Sequence, residues 1–173
     1  MKKIFAISGS TKASSTNELY LSAISQLLGA AYEVTIFPSI ADIPHFNPDL
    51  DLENPPQSIQ DLRLNILQAD GVIISTPEYA MGLPGSLKNL LDWTVSSASF
   101  SGKPVLAIVA STQGEKAYQS IIDILTVLEA RVSAQLIPFA KARINNDAIV
   151  TDHQTLASLK NTIDAFVAGI ENG

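Results

Sequence analysis

The chain has 173 residues, 46% of them hydrophobic and 16% charged, and carries a net charge of −6. Such a length fits one domain over residues 1–173 that buries about 70% of its unfolded surface, and the acidic balance argues against nucleic-acid or anionic-membrane partners. The absence of cysteine excludes disulfides, thiolate metal sites and cysteine nucleophiles.

Met1-Lys2-Lys3 runs directly into Ile4 to Ile7, an apolar stretch shorter than a signal-peptide core, and no segment approaches the roughly 18–20 consecutive apolar residues of a membrane span. A cytoplasmic protein is expected. The first strand, Ile4 to Ser8, feeds the turn Gly9-Ser10-Thr11-Lys12-Ala13-Ser14-Ser15-Thr16-Asn17. A helical pattern then starts near Glu18, with Leu19, Ala23 and Leu27 beside Tyr20, Ile24 and Leu28, and stops at Gly29.

Ser15, Thr16 and Asn17 are ordinary N-cap residues, but a cap uses only one of them. Five hydroxyls, an amide and a lysine without any acid suggest an anion seat, in which donors from the loop add to those of the helix N-terminus. The turn lacks both GxxxxGK[ST] and GxGxxG, so ATP hydrolysis and a standard dinucleotide site lose their signatures. A single phosphate monoester remains.

The second strand is Glu33 to Phe37, followed by a Pro-rich stretch from Pro38 to Pro56 that is expected to form a long loop, with Asp49, Asp51 and Glu53 as solvated charges. Ile59, Leu62 and Ile66 mark the next helix, ending near Asp70-Gly71. Val72 to Thr76 reads as a central strand, apolar on both faces. It runs into the turn Thr76 to Gly85, where Pro77 and Pro84 would stiffen a loop whose backbone groups suit the edge of a planar heterocycle, with Tyr79 or Met81 covering its face.

Leu87, Leu90, Leu91, Thr94 and Val95 form a helix, and Val105 to Ala110 the fourth strand. Ser111-Thr112-Gln113-Gly114 then leads into a helix with Ile121, Ile122, Leu125 and Leu128. A fifth strand covers about Ser133 to Pro138, and the last helix shows Leu156, Leu159, Ile163, Phe166 and Ile170 at intervals of three and four. Five strands alternating with helices predict an α/β fold with a parallel sheet in the order 2-1-3-4-5, whose ligand crevice lies at the carboxyl ends of strands 1, 3 and 4. His45 and His153 lack metal-ligand spacing and are expected at the surface.

Two motifs carry a family resemblance. Gly9-Ser10-Thr11-Lys12-Ala13-Ser14-Ser15-Thr16-Asn17 resembles G-S-x-R-x-x-S-x-N, and Thr76-Pro77-Glu78-Tyr79-Ala80 through Pro84-Gly85-Ser86-Leu87-Lys88-Asn89 to Asp92-Trp93 resembles T-P-E-Y-N-x-x-x-P-G-x-L-K-N-x-x-D-W. Both are features of the NADPH-dependent FMN reductases, flavodoxin-like three-layer sandwiches that include quinone, azo-dye and chromate reductases. Supporting similarity runs through Asp42-Ile43-Pro44, Ala69-Asp70-Gly71 and Gly102-Lys103-Pro104-Val105.

The resemblance implies a single FMN-binding domain that takes hydride from NADPH or NADH and reduces a small acceptor such as free flavin, a quinone, an azo compound or chromate. A non-enzymatic electron carrier like a flavodoxin is the alternative. By the same resemblance Ser10, Lys12, Ser15, Thr16 and Asn17 would hold the phosphate. Pro77, Glu78, Tyr79, Ala80 and Met81 would line the ring, and Ser111, Gln113 and Gly114 would approach it from the fourth strand. The resemblance also suggests a homodimer or homotetramer. Tyr79, Met81 and the long loop near Phe46, the last from a neighbouring subunit, are expected to shape the stacking space. Three positions depart from it: Lys12 replaces arginine, Ala80 replaces asparagine, and Glu115-Lys116-Ala117 stands where a glycine pair is frequent.

Overall fold

The structure, a computed structural model, describes residues 1–173 except for the side chains of Leu52 and Glu53. Strands β1 (Lys2–Ser8), β2 (Tyr32–Ile36), β3 (Gly71–Thr76), β4 (Pro104–Ala110) and β5 (Arg131–Ile137) form one parallel sheet in the order β2-β1-β3-β4-β5. This is the expected order. The chain reverses its direction of winding between β1 and β3, so the turns after these two strands part and leave a crevice at the sheet's carboxyl edge.

Period-two alternation gives each face its own core. Phe5 and Ile7 of β1, Val72 and Ile74 of β3, and Val105, Ala107 and Val109 of β4 pack under α3 (Gln57–Gln68), α4 (Gly85–Asp92) and α5 (Glu115–Val127). Ile4, Ala6, Ile73, Leu106 and Ile108 face the other way, onto α1 (Thr16–Leu28) and α6 (His153–Glu171). Full burial of β3 and β4 accounts for their unbroken apolar sequences.

Several boundaries differ from the periodicity. Helix α1 begins at Thr16 because Ser15 caps it in a capping box, its hydroxyl oxygen accepting from the Glu18 N–H while the Glu18 carboxylate accepts from the Ser15 N–H. The Pro38–Pro56 stretch is not all loop: it contains a 3₁₀ turn, Ile40–Asp42, and a short helix, α2 (Pro48–Glu53). Pro48 starts that helix, since proline is favourable at a first helical position behind an asparagine cap, and the Asn47 side chain accepts from the Asp49 N–H.

Asp51, expected as solvated, forms a largely buried ion pair with Arg63 that ties α2 to α3; Glu53 lies outside the described side chains. The segment before α2 is pinned as well. Asn89 accepts from the Phe46 N–H at 2.7 Å and donates to the Pro44 carbonyl at 2.9 Å, while the Trp93 indole N–H donates to the same carbonyl at 2.8 Å. The Phe46 ring packs edge-on against Trp93, with centroids 5.1 Å apart. Asn89 and Trp93 thus act as a clasp for this connection. Phe46 is engaged in packing and does not line the cavity described below.

Candidate functional site

The turn after β1 is drawn down onto the end of β3. The Gly9 N–H donates to the Ser75 carbonyl at 2.7 Å, and a Cβ at Gly9 would lie 2.4 Å from Thr76 Oγ1. Only glycine permits this approach. Asn17 then fastens the start of α1: its Oδ1 accepts from the Ser75 hydroxyl at 2.9 Å, and its Nδ2 donates to the Ala110 carbonyl at 3.4 Å. One buried amide joins α1 to the carboxyl ends of β3 and β4, which leaves its backbone N–H, not its side chain, to face a ligand.

These contacts enclose a cavity of about 770 Å³. The β1 turn contributes Ser10, Lys12, Ser14, Ser15, Thr16 and Asn17; the β3 turn contributes Pro77, Glu78 and Tyr79. Ser111 and Thr112 enter from β4. A further wall comes from the segment between β5 and α6, chiefly Phe139, Lys141 and Asn146, which no sequence motif marked.

The donor chemistry fits a phosphate monoester. Among the described residues, the N–H groups of Thr16 and Asn17 meet no protein acceptor, as expected at a helix N-terminus. The Ser10 and Ser15 oxygens already accept from the Lys12 and Glu18 N–H groups, so their hydroxyl hydrogens remain available. Lys12 and Lys141 pair with no carboxylate among the described residues. The one acid in the lining among the described residues, Glu78, turns its carboxylate to the N–H groups of Lys116 and Ala117, at 2.9 and 3.0 Å, and thereby caps α5. The cavity is locally cationic within an acidic chain.

Four expected site residues lie outside the lining: Ala80, Met81, Gln113 and Gly114. Ala80 and Met81 form the tip of a two-residue turn closed by reciprocal hydrogen bonds of 3.0 Å between Tyr79 and Gly82, and both have positive φ, 48° and 63°. Met81 is 66% exposed. Gly114 has φ 125°, and a Cβ there would lie 2.6 Å from Leu136 Cδ1, so this glycine serves the packing beneath the β4 turn. Gln113 is exposed beside it. The Ser111 hydroxyl oxygen accepts from the Glu78 N–H at 3.2 Å and couples the β3 and β4 turns.

Beneath the β5–α6 wall, the Tyr20 hydroxyl donates to the Ala140 carbonyl at 3.1 Å. Burial pushes this phenol up to about 12, against the opposing pull of Arg143 and with a smaller upward contribution from Asp152. His45 and His153 are exposed, and the described residues contain no grouping of three or more His, Asp or Glu suited to a metal. Nor is any helix among them long and apolar enough to cross a membrane.

Comparison with known proteins agrees with this architecture. Residues 2–142 match the family described as NADPH-dependent FMN reductase. The quinone reductase of Escherichia coli K12 is 35% identical over 136 residues, covering 75% of this chain and 72% of that protein. NADH-dependent flavin reductase subunit 2 of Lactobacillus johnsonii is 27% identical over 185 residues, covering 98% and 97%. Among solved structures, the flavoenzyme NAD(P)H:(acceptor) oxidoreductase FerB of Paracoccus denitrificans superposes with a TM-score of 0.79 at 29% identity, covering 99% of this chain and 98% of that one.

Proposed function

Because the chain belongs to the NADPH-dependent FMN reductase family and is an NAD(P)H-dependent flavoprotein oxidoreductase, we propose that the cavity at the ends of β1, β3 and β4 seats FMN and opens to a small acceptor. The phosphate is assigned to the Ser10–Asn17 turn, through the Lys12 ammonium, the Ser10, Ser15 and Thr16 hydroxyls, and the Thr16 and Asn17 N–H groups. The ring is assigned to Pro77, Glu78, Tyr79 and Ser111, with Ala80, Met81, Gln113 and Gly114 shaping the turns that carry them. The observation that supports this best is the shared cavity, in which unpaired donors of the β1 turn meet the proline-stiffened β3 turn.

Bound FMN supplies the redox chemistry, accepting hydride from NADPH or NADH and releasing electrons to the acceptor. The chain binds and orients. Pro77 is buried and offers a fixed surface without an N–H, while the Glu78 N–H is held by Ser111 and the Glu78 carboxylate by α5. That arrangement keeps the cavity's one acid from repelling a phosphate. No side chain is assigned as proton donor, base or nucleophile.

The acceptor is proposed to be a small planar oxidant, with quinones and free flavin the first candidates because the curated relatives carry those names. Azo compounds and chromate extend the series. Tyr79, Met81 and Phe139 are large, exposed side chains, 51%, 66% and 61% accessible; Tyr79 and Phe139 line the cavity, and Met81 lies just beyond Tyr79 in sequence. A second copy of the chain covering them would complete the acceptor site, as a homodimer or homotetramer of single-domain subunits working in the cytoplasm. Sedimentation equilibrium reads that assembly directly, and a monomer at all concentrations would refute it.

The central test is spectroscopic. Protein mixed with FMN is expected to acquire a bound-flavin spectrum that bleaches rapidly under anaerobic NADPH or NADH. Failure to bind FMN would overturn the assignment, and a bound flavin that stays oxidised would return the chain to the electron carriers.

A further inference from the structure

A phosphate monoester carries about −1.5 to −2 charges at pH 7, and Lys12 supplies one positive charge. Lysine is moreover a point charge, lacking the planar fork with which arginine grips two phosphate oxygens. The β1 turn alone leaves the phosphate under-compensated. The cavity lining holds a second cation, Lys141, in the wall between β5 and α6, which pairs with no carboxylate among the described residues.

That wall is fixed from several directions. The Phe139 and Ala140 N–H groups donate to the Thr112 and Ser111 carbonyls at 3.2 and 3.0 Å, and the Tyr20 hydroxyl holds the Ala140 carbonyl. The Thr151 N–H donates to the Arg143 carbonyl at 2.8 Å. Of the two cations in Lys141-Ala142-Arg143, Arg143 is committed: its guanidinium donates to Asp152 at 3.3 Å and to Thr155 Oγ1 at 2.8 Å. Lys141 has no hydrogen-bond or carboxylate partner among the described residues. Its backbone is anchored on both sides, and the residue lines the cavity with its ammonium uncommitted among the described residues.

We propose that Lys141 is a second phosphate-binding cation, so that the phosphate of FMN is held jointly by the β1 turn and the β5–α6 segment. This rests on the FMN assignment made above. It adds a residue beyond the two family motifs and gives the post-β5 segment a role in cofactor retention. Lys141 would offset the change from arginine to lysine at position 12 by adding charge from a second wall.

Binding to protein freed of flavin separates the possibilities, with riboflavin as the probe that lacks the phosphate. Lys141→Gln is expected to weaken FMN about tenfold and leave riboflavin unchanged, and Lys141→Arg to retain most of the FMN affinity. Because Lys141 is exposed, its fold should be unaffected, which a thermal melt checks. Unchanged FMN affinity in the Gln variant would overturn the proposal, whether or not the KM for NADPH rises; a rise would assign the cation to the hydride donor. Equal loss of FMN and riboflavin would also overturn it, since that would be a distortion of the cavity. Wild-type protein that fails to bind FMN would instead overturn the cofactor assignment itself.

Discussion

The hydroxyl of Tyr20 donates to the carbonyl oxygen of Ala140 at 3.1 Å, across 120 residues of sequence. This bond joins the helix behind the β1 turn to the segment that carries Lys141. Tyr20→Phe removes the donor and leaves a buried carbonyl, at an expected cost of about 1–2 kcal/mol in urea denaturation at pH 7. Its pH dependence has a definite sign. The folded phenol titrates near 12 and the unfolded one near 10, so the contribution is complete below pH 10 and is lost as pH rises toward 12. Wild-type protein should therefore lose stability more steeply than the Phe variant over that interval, and parallel curves would remove Tyr20 from its alkaline sensitivity.

Asn17 offers a sharper probe of the site. Asn17→Ala leaves the Ser75 hydroxyl and the Ala110 carbonyl without their partner, both in buried positions. A loss of about 2–4 kcal/mol is expected, together with at least a tenfold loss of FMN affinity as the β1 turn loosens from the sheet. Native stability in this variant, measured by urea denaturation, would show the clamp to be dispensable.

The turn at Ala80-Met81 holds two L-residues in the left-handed region, where each costs about 1 kcal/mol or more. Asparagine tolerates that region and glycine is unhindered there. Ala80→Asn and Met81→Gly are each expected to raise the melting temperature by about 2–4 °C. A fall in calorimetric melting temperature for both would contradict the strain argument.

At the opposite edge of the sheet, Asp70 accepts from the Lys3 N–H at 2.7 Å and from the Lys2 ammonium at 3.1 Å. The Lys3 N–H, ahead of the charges of Lys2 and Lys103, holds its carboxyl below the usual range despite partial desolvation. Its stabilising contribution is thus full above about pH 4 and disappears as pH falls through the lower folded value. Asp70→Asn should be less stable than wild type at pH 7, and the gap should narrow as pH falls below about 4. A gap independent of pH in denaturation curves would exclude this carboxylate as its source.

Much of this was legible in the chain. Strands β3 and β4 could be read because both faces are buried, and strand–helix alternation supplied the sheet order. The small, hydroxyl-rich turn after β1 and the Pro-Glu-Tyr turn after β3 pointed to one edge, where both line the cavity. What composition could not reveal was the direction of individual side chains. Glu78 and Asn17 face α5 and the sheet through contacts made 39 and 93 residues away.

Helix α2 had a readable signal in Asn47-Pro48, but a proline-rich stretch reads first as a break. The wall from Phe139 to Asn146 had none. Its place is fixed by backbone bonds to Ser111 and Thr112 and by Tyr20, and such pairings leave no periodic trace in a sequence.

The Asn17 clamp also dates the cavity within the life of the chain. The pocket exists only after Ser75 and Ala110 have both reached α1, so a nascent chain must release most of its length before there is anything for a cofactor to enter. FMN should accordingly act as a lock on the finished protein and not as a template for its assembly. In stopped-flow fluorescence of Trp93, the single tryptophan, FMN is expected to slow unfolding and to leave the refolding rate unchanged. A refolding rate that rose with FMN concentration would place the cofactor inside the folding nucleus.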